Sequence, residues 1–152
     1  MSDAYQLFQQ GLAALAAGHA DEAIAPLERA RKLEPASMSI QEALGKTYLR
    51  VGFFDRAAQA FSTILEHEPL DAYAHYCLAR AMDRMGDVAG AHHHYRLATV
   101  FAPGRRIYAD TLAAFLRRTG PEHTNGIDLV IGEDLAYDPA HDDDIDDEAW
   151  GS

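Results

Sequence analysis

Apolar and small side chains recur along the first 119 residues at helical spacing, and whole blocks of them recur every 34 residues. Pro35, Pro69 and Pro103 lie one period apart, as do Gly18, Gly52 and Gly86, and Ala23, Ala57 and Ala91. Leu44, Leu78 and Leu112 form another ladder. Gly11, Gly45, Ala79 and Ala113 hold a position where only small residues appear, and bulky side chains recur at Leu27, Phe61 and Tyr95. A fixed period of this length signals stacked supersecondary units, none of which can bury its apolar face alone. Such architectures usually bind other proteins.

Each unit divides into two helices at its glycine. Ile40, Leu44, Tyr48 and Val51 share one helical stripe, and Gly52 stops that helix because glycine reaches the left-handed conformation cheaply. A second stripe of Ala57, Ala60, Phe61 and Ile64 follows, and Pro69 breaks the chain before the next unit. The pattern predicts helices near 3–17, 20–34, 37–51, 54–67, 71–85, 88–101 and 105–119. Gly45 and Ala57 let antiparallel helices approach closely, with Phe61 filling the wider gap. Pro26 stands inside a predicted helix, where it removes a hydrogen bond and is expected to bend the chain.

The ladder resembles the tetratricopeptide repeat family. The matching residues are Leu44, Gly45, Tyr48, Ala57, Phe61 and Pro69 in the second unit. The first offers Gly11, Ala23, Leu27, Ala30 and Pro35; the third offers Leu78, Ala79, Ala91, Tyr95, Ala98 and Pro103. Gln10 replaces the leucine, Ala14 and Met82 replace the tyrosine, and the early tryptophan is absent. The resemblance implies an all-α, right-handed α-solenoid of three helix-turn-helix repeats (4–37, 38–71 and 72–105). Leu112, Ala113 and Gly120 add a lone capping helix at 105–119. A repeat domain over 1–120 is thus followed by an acidic tail, 121–152, extended or disordered.

Charge sharpens that division. The formal net charge is −11, and eleven of the 24 acidic side chains fall in residues 120–152, which contain no lysine or arginine. The first 119 residues are neutral, with 13 acidic and 13 basic side chains. Neither part has a basic footprint for nucleic acid. No apolar run approaches the roughly 20 residues that span a membrane. No secretory signal is visible, and Cys77 is the single cysteine, which fits a reducing cytoplasm. Eleven arginines against two lysines, with abundant alanine, suggest a high-GC bacterial genome. The tail joins an apolar stretch, Ile127–Ile131, to an acidic run carrying Leu135, Tyr137, Ile145 and Trp150. It reads either as a solubilising appendage or as a linear motif that enters a groove.

In the family, the first helix of each repeat lines a concave face that holds peptides. Carried onto this chain, that face presents Tyr5, Phe8 and Leu12 as apolar anchors from the first unit. Lys46 and Arg50 come from the second, Tyr73, Tyr76, Arg80 and Arg84 from the third, and Arg117, beside Arg118, from the cap. Lys46–Arg50 and Arg80–Arg84 repeat a four-residue spacing, so the four charges are expected to form a patch suited to carboxylates. The alternative is a solvated face, or pairing with Glu42 and Asp83. The family's carboxylate clamp for chaperone termini would fall on Phe8, Leu12, Ala43, Tyr73 and Cys77, none of which fits.

Nothing catalytic emerges. There is no phosphate loop, dinucleotide fingerprint or nucleophile elbow. His92, His93 and His94 point about 100° apart on a helix, cannot close on one ion, and read as solvent-facing. Asp142, Asp144 and Asp146 resemble a calcium loop that lacks its glycine and closing glutamate. Arg80 could lower the pKa of Cys77, which otherwise reads as a small groove or core residue. The expectation is a cytoplasmic, non-enzymatic adaptor without cofactor or metal, a monomer or weak homodimer. It would bind an acidic or aromatic protein segment and not nucleic acid or membrane, and its own tail could modulate that binding. Two rivals are a dedicated chaperone for a secreted client, and a tail that itself captures a basic partner.

Overall fold

The computed structural model describes residues 3–120, and among these the chain forms seven helices and no strand. They are α1 (Asp3–Ala16), α2 (Ala20–Leu33), α3 (Met38–Val51), α4 (Phe54–His67), α5 (Ala72–Met85), α6 (Val88–Phe101) and α7 (Arg106–Thr119). The expected boundaries hold within a residue. The one-residue differences at the starts of α3 and α5 are caps: the Ser37 hydroxyl accepts from the Ile40 N–H at 3.3 Å, and the Asp71 carboxylate accepts from the Ala74 N–H at 3.1 Å. Such caps satisfy N–H groups that lack an intrahelical partner.

First helices end on glycine. Gly18, Gly52, Gly86 and Gly120 have φ of 81°, 91°, 82° and 88°, a region that side chains with a Cβ rarely enter. Second helices end differently. Glu34 and Glu68 precede prolines and leave the helical region, with φ of −133° and −132° and ψ of 74° at both. The proline ring disfavours helix in the residue before it.

Packing follows the small–large ladder. A Cβ added to Gly11 would lie 2.4 Å from Leu27 Cγ, and one added to Gly45 would lie 2.6 Å from Phe61 Cε2. Leu27 and Phe61 are fully buried there, each contributing roughly 1.5–3 kcal/mol of apolar transfer. One core cluster centres on Leu27, Leu44 and Tyr48; the other runs from Phe61 to Leu116.

Every helix packs on its successor. The first helices also touch across units, α1 on α3 and α3 on α5. These contacts set α1, α3 and α5 side by side along one face of the stack. The result is a right-handed α-solenoid of three helical pairs closed by α7. Pro26 does not end α2, which continues from Ala20 to Leu33. The carbonyl deprived of its donor belongs to Glu22, an exposed residue that water can serve. No helix among the described residues is long and apolar enough to cross a membrane.

Candidate functional site: the concave face

α1 contributes apolar surface. Tyr5 is half exposed, and Phe8 and Leu12 are half buried. α3 contributes Lys46, but this ammonium is only 3% exposed. Its Nζ lies 2.9 Å from Glu42 Oε1 and 5.2 Å from the centroid of the half-buried Tyr73 ring. Lys46 is therefore taken up within the wall of the groove. Tyr76 is likewise no surface anchor. It is buried, with its ring 4.8 Å from Tyr108 and its hydroxyl 3.2 Å from Thr111 Oγ1.

The arginines behave differently. Arg50, Arg84 and Arg118 stand one period apart, and each reaches back toward the preceding unit. Arg50 donates to the Leu15 carbonyl at 3.2 Å, an acceptor in the last turn of α1 that also takes the Gly18 N–H. Arg84 lies over the Phe54 ring, 4.8 Å from its centroid. Arg118 grips both oxygens of Asp83, the shorter contact being 2.7 Å. Asp83 also accepts from the Tyr95 hydroxyl at 3.3 Å. Arg80 is half buried over the Tyr76 ring at 5.9 Å, and Arg117 is exposed.

The expected four-charge patch thus divides. Lys46 is engaged within unit two and Arg50 with the end of α1. Arg80, Arg84 and Arg118 gather around a recess of about 290 Å³, lined also by Leu49, Phe54, Asp83, Tyr95 and Thr111. Three guanidinium groups face one carboxylate. A guanidinium stacked on a ring keeps its edge N–H donors directed outward, the geometry that accepts a carboxylate in two parallel bonds. Phe54 was absent from the sequence-derived site, whereas Arg118 was placed on its inner face at the cap. Arg118 was findable, because it continues the Arg50–Arg84 ladder. Phe54 was not, because its role depends on the next unit packing beside it.

Cys77 is buried, and that burial pushes its thiol up to about 12; neighbouring Arg80 opposes the shift without cancelling it. A thiol so held is not a nucleophile. The three histidines are not all solvent-facing. His92 is buried and His93 exposed. His94 stacks on buried His75 with ring centroids 5.2 Å apart and Nδ1 atoms 2.9 Å apart. Nε2 of His75 is 2.8 Å from the Pro69 carbonyl, which can only accept, so that nitrogen carries the proton. Nδ1 of neutral His75 must then accept from His94. Burial, followed by His75 and His93, lowers the His94 pKa to about 4. No group of three or more metal-ligating side chains occurs among the described residues. The aspartates at 142, 144 and 146 lie outside them.

The tetratricopeptide repeat profile matches residues 8–50 and 42–106, well over half of the chain. The chain belongs to the tetratricopeptide repeat family. Membership places it among protein-interaction modules, which are generally non-catalytic. Solved tetratricopeptide structures superpose on it. MamA from Desulfovibrio magneticus RS-1, residues 41 to the end, does so with a TM-score of 0.73 at 22% identity, covering 80% of this chain and 72% of that one. A thermophilic tetratricopeptide protein of Thermus thermophilus gives 0.68 at 18% identity, covering 80% and 68%. At these identities the likeness is one of fold. A comparison with curated proteins finds no match.

Proposed function

We propose that this tetratricopeptide protein is an adaptor that holds an acidic segment of a partner protein along its concave face. Carboxylates bind at Arg80 and Arg84, with Arg118 and Asp83 shaping the end of the recess. Apolar side chains of the same segment rest on Tyr5, Phe8 and Leu12 at the other end. Lys46 and Arg50 act as wall residues, and Tyr73 lines the groove above Lys46. The observation that carries this reading is the recess itself, where three guanidinium groups outnumber one carboxylate beside the Phe54 ring. Charge-assisted hydrogen bonds of this kind contribute roughly 1.5–3 kcal/mol each. The chain's own acidic residues 133–150 carry matching chemistry and would compete for the recess.

The test uses the full chain and two synthetic peptides of equal length. One is rich in aspartate and glutamate with a single tyrosine; its twin replaces every acid with the amide. The acidic peptide is expected to bind the parent and to lose about tenfold or more in Arg80→Glu/Arg84→Glu, as the twin does on the parent. Equal affinity of all three pairings would overturn the reading.

A further inference from the structure

Between the second helices α2 and α4 lies another recess, of about 400 Å³, with α3 as its floor. It shares no residue with the recess around Arg80 and Arg84. Two changes in the repeat open it. In unit three the His94 ring stacks on His75, and His75 Nε2 donates to the Pro69 carbonyl at 2.8 Å. One period earlier, Gln41 holds the position of His75 and Ala60 that of His94. A methyl group does not reach across, so the space that an imidazole takes in unit three stays open in unit two, with Ala60 in its wall.

Gln41 is only 9% exposed, and polar side chains buried so far normally have a hydrogen-bond partner. Its amide has none among the described residues. It lines the recess, and neither of its polar atoms is sealed off from it. Half-buried Arg31 lines the same recess and makes no ion pair among the described residues. Glu28 is fixed from one side. The Tyr48 hydroxyl donates to its Oε1 at 2.6 Å, and Oε2 accepts no hydrogen bond. Burial, and after it the bond to Glu28, raises the Tyr48 pKa to about 12, so the phenol keeps the proton it donates. Arg56 lies 3.9 Å from the same carboxylate and spreads over the Phe53 ring at 5.3 Å.

The recess thus presents two guanidinium groups, one carboxylate and the carboxamides of Gln41 and Gln59. We propose that it binds a small ligand with the opposite set of charges, two carboxylates and one ammonium, the chemistry of an acidic amino acid. The carboxylates pair with Arg31 and Arg56, whose planar forks take a carboxylate in two parallel bonds. The ammonium donates to Glu28 Oε2, and the Gln41 amide donates to a ligand carboxylate. A neutral amino acid leaves one guanidinium unmatched. A dicarboxylate without the ammonium sets a second anion against Glu28. The volume falls at the lower end of the roughly 300–1,000 Å³ of small-ligand sites. This site is separate from the peptide site and does not depend on it.

The experiment is calorimetric titration of the full chain with L-aspartate and L-glutamate, with L-glutamine and glutarate as the mismatched ligands. An acidic amino acid is expected to bind, and glutamine and glutarate to bind at least about tenfold more weakly. Arg31→Met is expected to cost about tenfold at unchanged helix content. Should it disturb the helices, Gln41→Met takes its place with a loss in the same direction. Ala60→His, which builds the side chain of unit three into the recess, is expected to abolish binding. Arg80→Glu/Arg84→Glu, which disables the peptide site, is expected to leave the titration unchanged. Absence of binding by both acidic amino acids at millimolar concentration would overturn the proposal. So would equal affinity for glutarate, or a loss in Arg80→Glu/Arg84→Glu as large as that in Arg31→Met, which would move the ligand to the concave face.

Discussion

Units two and three place basic side chains at the same register, 34 residues apart, and use them in opposite ways. Lys46 and Arg80 are counterparts, as are Arg50 and Arg84. Lys46 has Glu42 one turn before it and is drawn into a buried pair. Arg80 has Tyr76 at that position, and its guanidinium lies over that ring, 5.9 Å from the centroid. Arg50 meets a backbone carbonyl of α1, whereas Arg84 meets the face of Phe54. Register decides where a side chain stands. The residue one turn earlier and the unit alongside decide what its charge meets.

The largest effect expected is on the wedge that holds both units in register. Phe61→Ala removes a fully buried ring that packs edge-on to Tyr73 at 6.3 Å and fills the gap opposite Gly45. A cost of roughly 3–5 kcal/mol is expected, spreading to both neighbouring units. A melt shifted by only a degree or two would show that units two and three do not share this support.

Glu42→Gln breaks the comparison from the other side. It leaves the Lys46 ammonium buried without its carboxylate. Because Glu42 is 40% exposed, the loss is expected to be well below that of a fully buried pair, about 1–2 kcal/mol by denaturant unfolding. The register counterpart Tyr76→Phe retains the ring under Arg80 and loses the hydroxyl's contact to Thr111, about 1 kcal/mol.

Unit three also carries a pH dependence that unit two lacks, since Gln41 and Ala60 occupy the positions that His75 and His94 hold one period later. The folded-state pKa of His94 lies at about 4, below the unfolded value of 6.5. The unfolded chain therefore takes up the proton first as pH falls. The stabilisation is complete above pH 6.5, declines between 6.5 and about 4, and changes no further below that. Half exposure screens it to a modest size. His94→Phe, which keeps a ring against His75, is expected to flatten this part of the stability curve; an unaltered slope would remove the pair as its source.

The fold was legible because the repeat is written three times, and prolines, glycines and small residues punctuate it at constant spacing. Helix ends, the Gly45–Phe61 contact and the closing α7 all followed from that ladder. The site was legible only in part. Arg80 and Arg84 were found by spacing, but spacing could not show that Glu42 would claim Lys46 or that Tyr76 would turn into the core. Those outcomes depend on contacts between units. The histidine run misled for the same reason: His94 meets His75, nineteen residues earlier on the adjacent helix. The apolar stretch Ile127–Ile131 and the acidic run after it lie outside the described residues.

The most direct test of the account compares the two units by one measurement, the affinity of the full chain for the acidic peptide in two charge-removing variants. Arg80→Met/Arg84→Met is expected to weaken binding about tenfold or more, and the register-matched Lys46→Met/Arg50→Met by no more than about threefold. Equal losses in the two variants, or a larger loss from unit two, would contradict the assignment of the ligand site to unit three.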